Sequence, residues 1–431
     1  MPDIAVLGLD EHNLETLQRL PHDGYRFHGV LDVDRLIGVD HLDLPRLLEE
    51  AETELDAMER VDALVGYWDF PVSTMVPILC HRRGLISASL ESVVRCEHKY
   101  WSRLEQRKAI EDVPAFGVMS LDDTSSGARL PGGMQFPVWL KPIKSASSAL
   151  AFKVEDQASL DEAVTQLREG IDTMGEPFQF VLDHMSLPDE ITAVGAQAAI
   201  VEEAVTGQQV TVEGYVLGDD VRVLGVVDSV TYPDSTSFLR YQYPSTLPAQ
   251  VLDRLTANSE AVIAQLGLTS CTFNIEYFWD PDTDRVALLE VNPRHSQSHA
   301  WLFEWVDGAP NHEAMVALAL GREPQVTKGA GRRQVAAKWF LRHFSDGVVT
   351  RAPSADRVAE IEAEIGDARI EMTVQEGDRL SEQSLQDSYS FEIAEIHLAA
   401  DDEDGLARAY ERCVELLGVE IDENEGVADD R

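Results

Sequence analysis

Residues 271–299, CTFNIEYFWDPDTDRVALLEVNPRHSQSH, constrain this chain more than any other stretch. Residues 272–279 alternate as a half-buried strand does. Phe273, Ile275, Tyr277 and Trp279 share one face; Asn274 and Glu276 share the other, with Phe278 the one apolar exception there. Residues 286–292 form a second apolar run that ends in Glu290 and Asn292, two apart and so on one face. Asp280-Pro-Asp-Thr-Asp between them carries turn chemistry. An antiparallel hairpin with a five-residue loop, residues 281–285, sets Glu276 directly opposite Glu290, with Asn292 alongside. Facing strand side chains have Cβ atoms ~5 Å apart, where like charges repel. Either the pair lies on a solvated acidic face, or a cation compensates it. A hard divalent ion is the economical remedy: Mg²⁺ takes one or two carboxylates and completes its sphere with phosphate oxygens and water.

Glu276 followed by Glu290-Val-Asn292-Pro-Arg294 resembles the metal-binding signature of the ATP-grasp superfamily. The resemblance extends over roughly residues 1–420 and points to the carboxylate–amine ligase branch, similar to biotin carboxylase and carnosine synthase-type proteins. It implies that Glu276, Glu290 and Asn292 hold two Mg²⁺ ions (Mn²⁺ as an alternative) on the phosphates of ATP. The fold it implies is mixed α/β and α+β. A Rossmann-like pre-ATP-grasp domain (1–95) precedes a two-lobed ATP-grasp domain (96–325, nucleotide lobe about 112–205). A small α+β lobe (326–420) and a disordered acidic tail (421–431) follow.

Composition narrows the partners. The 431 residues carry a net charge of −42, with only 7 lysines against 28 arginines. Scarce lysine with many scattered acids reads as a halophile signature, in which concentrated salt screens the self-repulsion. The same charge argues against nucleic acid and anionic membranes, both of which need Lys and Arg clusters. No apolar run approaches the ~18 residues of a membrane span, and the N-terminus lacks the basic region of a signal peptide. Cys80, Cys96, Cys271 and Cys413 are far apart with no C-x-x-C, as expected of reduced thiols in a cytoplasm.

The rest of the chain supplies the nucleotide pocket by resemblance. Residues 1–95 alternate strand and helix, which implies a parallel sheet; Trp68, Asp69 and Phe70 follow a strand end, where such sheets bind ligands. Residues 91–111 read as one helix bearing His98-Lys99, and Lys99 falls on the family's phosphate-contacting lysine. Lys141, at a strand end, matches the lysine that reaches adenine and the α-phosphate. The loop 143–148 stands where the family has a glycine-rich phosphate loop. It has no glycine and offers Ser145 and Ser147 instead, with Lys144 beside them. In 198–217, strand–turn–strand around Gly207, the resemblance places Glu202 and Glu203 with the backbone of Ala204 and Val205 on adenine, and Gln209 on ribose. Glu213 shares a face with Thr211 and is either functional or merely exposed. Residues 229–248 show no clear period and read as a long functional loop, from which Arg240 would reach phosphate or a carboxylate, or buttress the fold through a salt bridge. Arg294 is the expected catalytic residue, its planar fork suited to a carboxylate and a tetrahedral oxyanion. His295 is a further candidate for phosphate or substrate, while His295 and His299 lack the glutamate of a zinc helix.

The implied chemistry is activation of a small-molecule carboxylate by ATP as an acylphosphate, then attack by an amine, giving ADP and phosphate, by an enzyme that is often a homodimer. Two other readings share the ATP site: a biotin-carboxylase-like enzyme acting through carboxyphosphate, and a non-catalytic nucleotide-binding protein. Glu290→Ala is expected to remove turnover with little loss of stability.

Overall fold

A computed structural model of the chain describes all residues except 22–23, 40, 122–127, 146–148, 384–389 and 424–431. Strands β1 (Asp3–Leu7), β2 (Arg26–Val30) and β3 (Ala63–Val65) form a parallel sheet in the order β2-β1-β3, interleaved with helices α1 (Glu11–Gln18) and α2 (Leu44–Ala57). Helices α3 (Val72–Arg83), α4 (Leu90–Glu97) and α5 (Lys99–Ala109) lead into a four-stranded antiparallel sheet, β4-β7-β5-β6. Its strands are β4 (Phe116–Met119), β5 (Val138–Pro142), β6 (Phe152–Val154) and β7 (Ala199–Glu203), with α6 (Gln157–Gly170), α7 (Asp172–Asp183) and α8 (Asp189–Val194) between the last two.

The largest sheet has eight antiparallel strands. It uses β8 (Gln208–Leu217), β9 (Asp220–Thr231), β10 (Phe238–Tyr243), then, after α9 (Ala249–Leu266), β11 (Cys271–Asp280) and β12 (Arg285–Asn292). Helices α10 (Ala300–Asp307) and α11 (His312–Ala319) come next. They are followed by β13 (Val335–His343), β14 (Val348–Arg351), α12 (Ala355–Ile365), β15 (Ala368–Met372), β16 (Phe391–Ala400), α13 (Glu403–Leu417) and β17 (Glu420–Asp422). The order is β12-β11-β8-β9-β10-β13-β16-β15, so position 325, expected as a boundary, falls between two parts of one continuous sheet. Strand β17 pairs with β14, which takes Asp422 out of the expected tail; 424–431 lie outside the described residues.

Local chemistry sets the element ends. Asp10, Ser89, Ser354 and Asp402 each accept a backbone N–H at a helix start, and Asp156 with Ser159 makes a reciprocal cap on α6. The helix expected over 91–111 is broken at His98. This residue ends α4, and its buried Nδ1 accepts from the Trp101 N–H to start α5. Burial holds its imidazole down to about 4, so the cap stays neutral. Gly207 joins the two antiparallel sheets with φ +135°, and a Cβ there would lie 2.4 Å from the Trp279 carbonyl oxygen.

The eight-stranded sheet has two unlike faces. On one, Phe273, Ile275, Tyr277 and Leu288 pack under α9 against Val251, Leu255 and Ile263, each such side chain contributing roughly 1.5–3 kcal/mol by burial. The other is polar, and the registers carry it from Glu276 and Glu290 through Thr211 and Tyr241 to Lys338 and His397. The segment 229–248 is not the long loop that its sequence suggests. Phe238–Tyr243 is an interior strand, and its aromatic and polar residues are shared between both faces, which erases a simple apolar period.

Candidate functional site

The centre of the polar face is the β11–β12 hairpin. Glu276 pairs with Glu290 and Asn274 with Asn292, as the strand periods require. The loop differs from expectation. Arg285 pairs with Asp280, leaving four loop residues, and Leu289 is an extra, unpaired residue on β12. This bulge restores the facing of the two acids; without it Glu290 would turn to the α9 side.

The two carboxylates are not equivalent. Burial, and then the charge of Glu290, push Glu276 up to about 7; its Oε2 accepts from Gln209 Nε2 at 2.9 Å. Burial also works against charge on Glu290, but Lys99 outweighs it and holds that carboxyl below its usual range. Lys99 Nζ lies 2.8 Å from Glu290 Oε1 and 3.3 Å from the Ser145 carbonyl oxygen. Asn292 donates its amide nitrogen to Asn274 at 3.0 Å, which leaves its carbonyl oxygen free to act as a ligand. Among the described residues no group of three or more His, Cys, Asp and Glu is gathered as a metal centre. Two facing carboxylates and an amide oxygen are therefore the donor set. It fits a hard ion that depends on phosphate and water for the rest of its sphere.

A small cleft adjoins Glu290, lined also by Lys99, Arg103, Lys141 and Glu202 among others. Glu202 is buried on β7 between two cations, with Arg103 Nε on one oxygen and Lys141 Nζ 2.9 Å from the other. Burial opposes its charge, yet Arg103 and Lys141 together hold it down to about 2. Each oxygen thus already meets one cationic donor, from α5 on one side and β5 on the other. Glu203 is likewise taken, by a two-pronged pair with Arg285 at 2.6 and 2.9 Å and by the Ala115 N–H. Ala204 and Val205 follow β7 on the crossing to β8; the Ala204 N–H bonds the Pro137 carbonyl, so it too is occupied. Gln209 faces Glu276 rather than open cleft.

Arg103 was not anticipated. It sits nearly fully buried on α5, and besides Glu202 it bonds Gln106 at 2.7 Å and the carbonyls of Leu288 and Leu289 at 2.8 and 2.6 Å. In the sequence it is one arginine on a charged helix; the carbonyls it meets lie at and beside the bulge on β12, the edge strand.

Three expected site residues lie elsewhere. Arg240 is on the far face of the sheet, stacked 4.6 Å over Trp339 and bonded to Gln242, because residue 240 has the opposite parity to Tyr241. His295 is buried, hydrogen-bonded to Thr272 at 3.2 Å and packed edge-on against His312; burial and the neighbouring His312 keep it neutral. Lys144 is buried with its ammonium 3.5 Å from Glu97 and over the rings of Phe70 and Phe178. Ser145 is buried beside Lys99, and Ser147 lies outside the described residues. Glu213 is fully buried and bonds His299 at 2.9 Å, while Arg294 points at Asp69 on the loop after β3.

Residues 134–300 match the family model described as the ATP-grasp domain. A large chain of carbamoyl phosphate synthase from Thermus thermophilus is 26% identical over 348 residues, which is 77% of this chain and 31% of that one. The chain thus spans about a third of the length of that curated relative. Among solved structures, L-amino acid ligase from Bacillus licheniformis superposes with a TM-score of 0.68 at 13% identity, over 98% of each chain. The biotin carboxylase domain of 2-oxoglutarate carboxylase from Hydrogenobacter thermophilus, solved with MgADP, ADP and bicarbonate, gives a TM-score of 0.64 at 15% identity. It covers 97% of this chain and 90% of that one. The fold is that of these proteins.

Proposed function

We propose that this chain, which carries an ATP-grasp domain, is an ATP- and Mg²⁺-dependent ligase that joins a small carboxylate to an amine. The observation that carries the reading is the facing of Glu276 and Glu290, one carboxylate raised in pKa and the other neutralised by Lys99. Glu276, Glu290 and the Asn292 oxygen would hold the metal, which when bound supplies charge neutralisation on the phosphates. Lys99 and Lys141 bring positive charge to the cleft from two sides, and Arg294 offers N–H donors where negative charge develops on the acyl oxygen. The substrate carboxylate oxygen attacks the γ-phosphorus and ADP leaves. The amine nitrogen then adds to the acyl carbon, phosphate departs, and the nitrogen loses a proton.

The test is phosphate release from ATP and MgCl₂ across amino acids, short acids and bicarbonate, with product masses. Amine- and acid-dependent release supports ligation. Bicarbonate-dependent release moves the assignment to carboxyphosphate chemistry, and nucleotide binding without release moves it to a binding protein. The −42 charge leads us to expect that folding and activity need molar salt, in a cytoplasmic enzyme; homodimerisation belongs to the same reading. No helix among the described residues is long and apolar enough to cross a membrane.

A pH prediction follows from Glu276. Its folded pKa of about 7 lies above the ordinary carboxylate value. Its contribution to ligand-free stability is therefore present at acid pH and lost as pH rises through about 7. A cation opposes that loss. The rise in melting temperature caused by MgADP should be larger at pH 8 than at pH 6, and calorimetry in two buffers should show about one proton released at pH 6. A pH-independent shift with no proton release would contradict the assignment.

A further inference from the structure

Arg294 is held from a distant part of the chain. Its Nε and Nη2 bond Asp69 Oδ1 and Oδ2 at 2.7 and 2.6 Å, and its Nη1 bonds the His295 carbonyl at 3.1 Å. Asp69 is 225 residues away, on the loop that leaves β3. The flanks of that loop are pinned. Trp68 Nε1 donates to the Gly8 carbonyl at 2.8 Å, Phe70 is buried edge-on against Phe178, and Pro71 begins α3. A carboxylate on so anchored a loop does not swing freely, and a two-pronged pair fixes the plane of the guanidinium as well as its position.

We infer that Asp69 is a positioning residue for Arg294: it locks the inner edge of the guanidinium so that only the outer edge faces the reacting groups. Three of the five N–H groups are committed, leaving one on each terminal nitrogen. A ligand oxygen must then be met end-on, at the outer edge, from a direction set by the first sheet. The charge of Arg294 is balanced within the protein, so a bound carboxylate is not trapped by an unpaired cation. The inference rests on the ligase reading for its kinetic consequence but not for its geometry.

Two readouts separate these. In the first, [¹⁵Nε]arginine-labelled protein is compared with Asp69→Ala, the Arg294 signal being assigned through Arg294→Lys. The wild-type Nε–H should be protected from exchange with water, and Asp69→Ala should lose that protection. Retained protection overturns the inference. In the second, Asp69→Asn and Asp69→Ala should lower kcat about 10- to 100-fold through misplacement of one group, with KM for ATP and the affinity for MgADP unchanged within about twofold. Asp69→Glu, which keeps the charge, should recover part of the loss. A merely structural role would move nucleotide affinity and melting temperature together with kcat, and that result, or an unchanged kcat, overturns the inference. Should the wild type turn over no substrate, the ligase reading fails and the exchange experiment alone decides the role of Asp69.

Discussion

Glu276→Gln is expected to make the ligand-free protein more stable at pH 8 while removing its turnover. The substitution keeps the size of the side chain and removes a charge that burial and Glu290 both disfavour. A folded pKa near 7 against an ordinary value of 4.5 corresponds to a gain of about 3 kcal/mol at pH 8. The gain should fall below about 1 kcal/mol at pH 5 and vanish below the ordinary carboxylate value, where the carboxyl is neutral in both the folded and the unfolded chain. Turnover should fall by roughly 10³-fold, since an amide is a poor replacement for a carboxylate on Mg²⁺, and the MgADP-induced rise in melting temperature should shrink with it. Glu290→Gln should behave in the opposite sense for stability, although it faces the same acid. It strips Lys99 of the partner 2.8 Å away and leaves a buried ammonium beside an uncharged amide. The expectation from sequence that truncating Glu290 costs little stability is thereby revised, because Lys99 was read as a phosphate ligand and not as the carboxylate's partner. Melting curves of both variants at pH 5 and pH 8 check the contrast; equal shifts of the same sign would rule out the asymmetry.

The pairing of Glu276 with Glu290 was legible because an odd hairpin loop sets these two positions face to face. The bulge at Leu289 was not. A five-residue loop and a four-residue loop with one bulge place the same two acids face to face, and only the backbone distinguishes them. The helix break at His98 was not readable either, since histidine is a rare cap and the apolar period continues across it. Arg240 and Tyr241 show the limit on side-chain direction: in a strand with large residues on both faces, neighbours in sequence look equally able to reach the site. The pairing of Asp69, itself noted at a strand end, with Arg294 and the role of Arg103 escaped for a different reason. Each acts through a partner far away in sequence, 225 residues for Asp69 and 185 for the Arg103–Leu288 contact, and one chain read alone carries no sign of such pairings.

Arg103→Met is expected to be the most damaging single change to the fold. Methionine fills much of the volume but leaves four acceptors without this donor: one Glu202 oxygen, the Gln106 side-chain oxygen and the carbonyls of Leu288 and Leu289. The carboxylate is the costliest, because Glu202 is buried and would keep only Lys141, and breaking a buried pair by removing one partner costs about 3–5 kcal/mol. The two carbonyls flank the bulge that turns Glu290 toward Glu276, so the metal acids should lose register as the structure loosens. Arg103→Lys should restore charge beside Glu202 yet not the fork that spans β7 and β12, and should recover only part of the loss. The pH dependence gives a second sign. With its carboxyl held down to about 2, Glu202 contributes stability that is present above the ordinary carboxylate range and is lost as pH falls toward that value. In the variant only Lys141 opposes protonation, so acid unfolding should begin at higher pH than in wild type. Denaturant midpoints at pH 7 and acid titrations followed by circular dichroism measure both effects. A loss under about 1 kcal/mol, well short of the cost of breaking a buried pair, with an unchanged acid midpoint would mean that α5, β7 and the bulge hold together without this arginine.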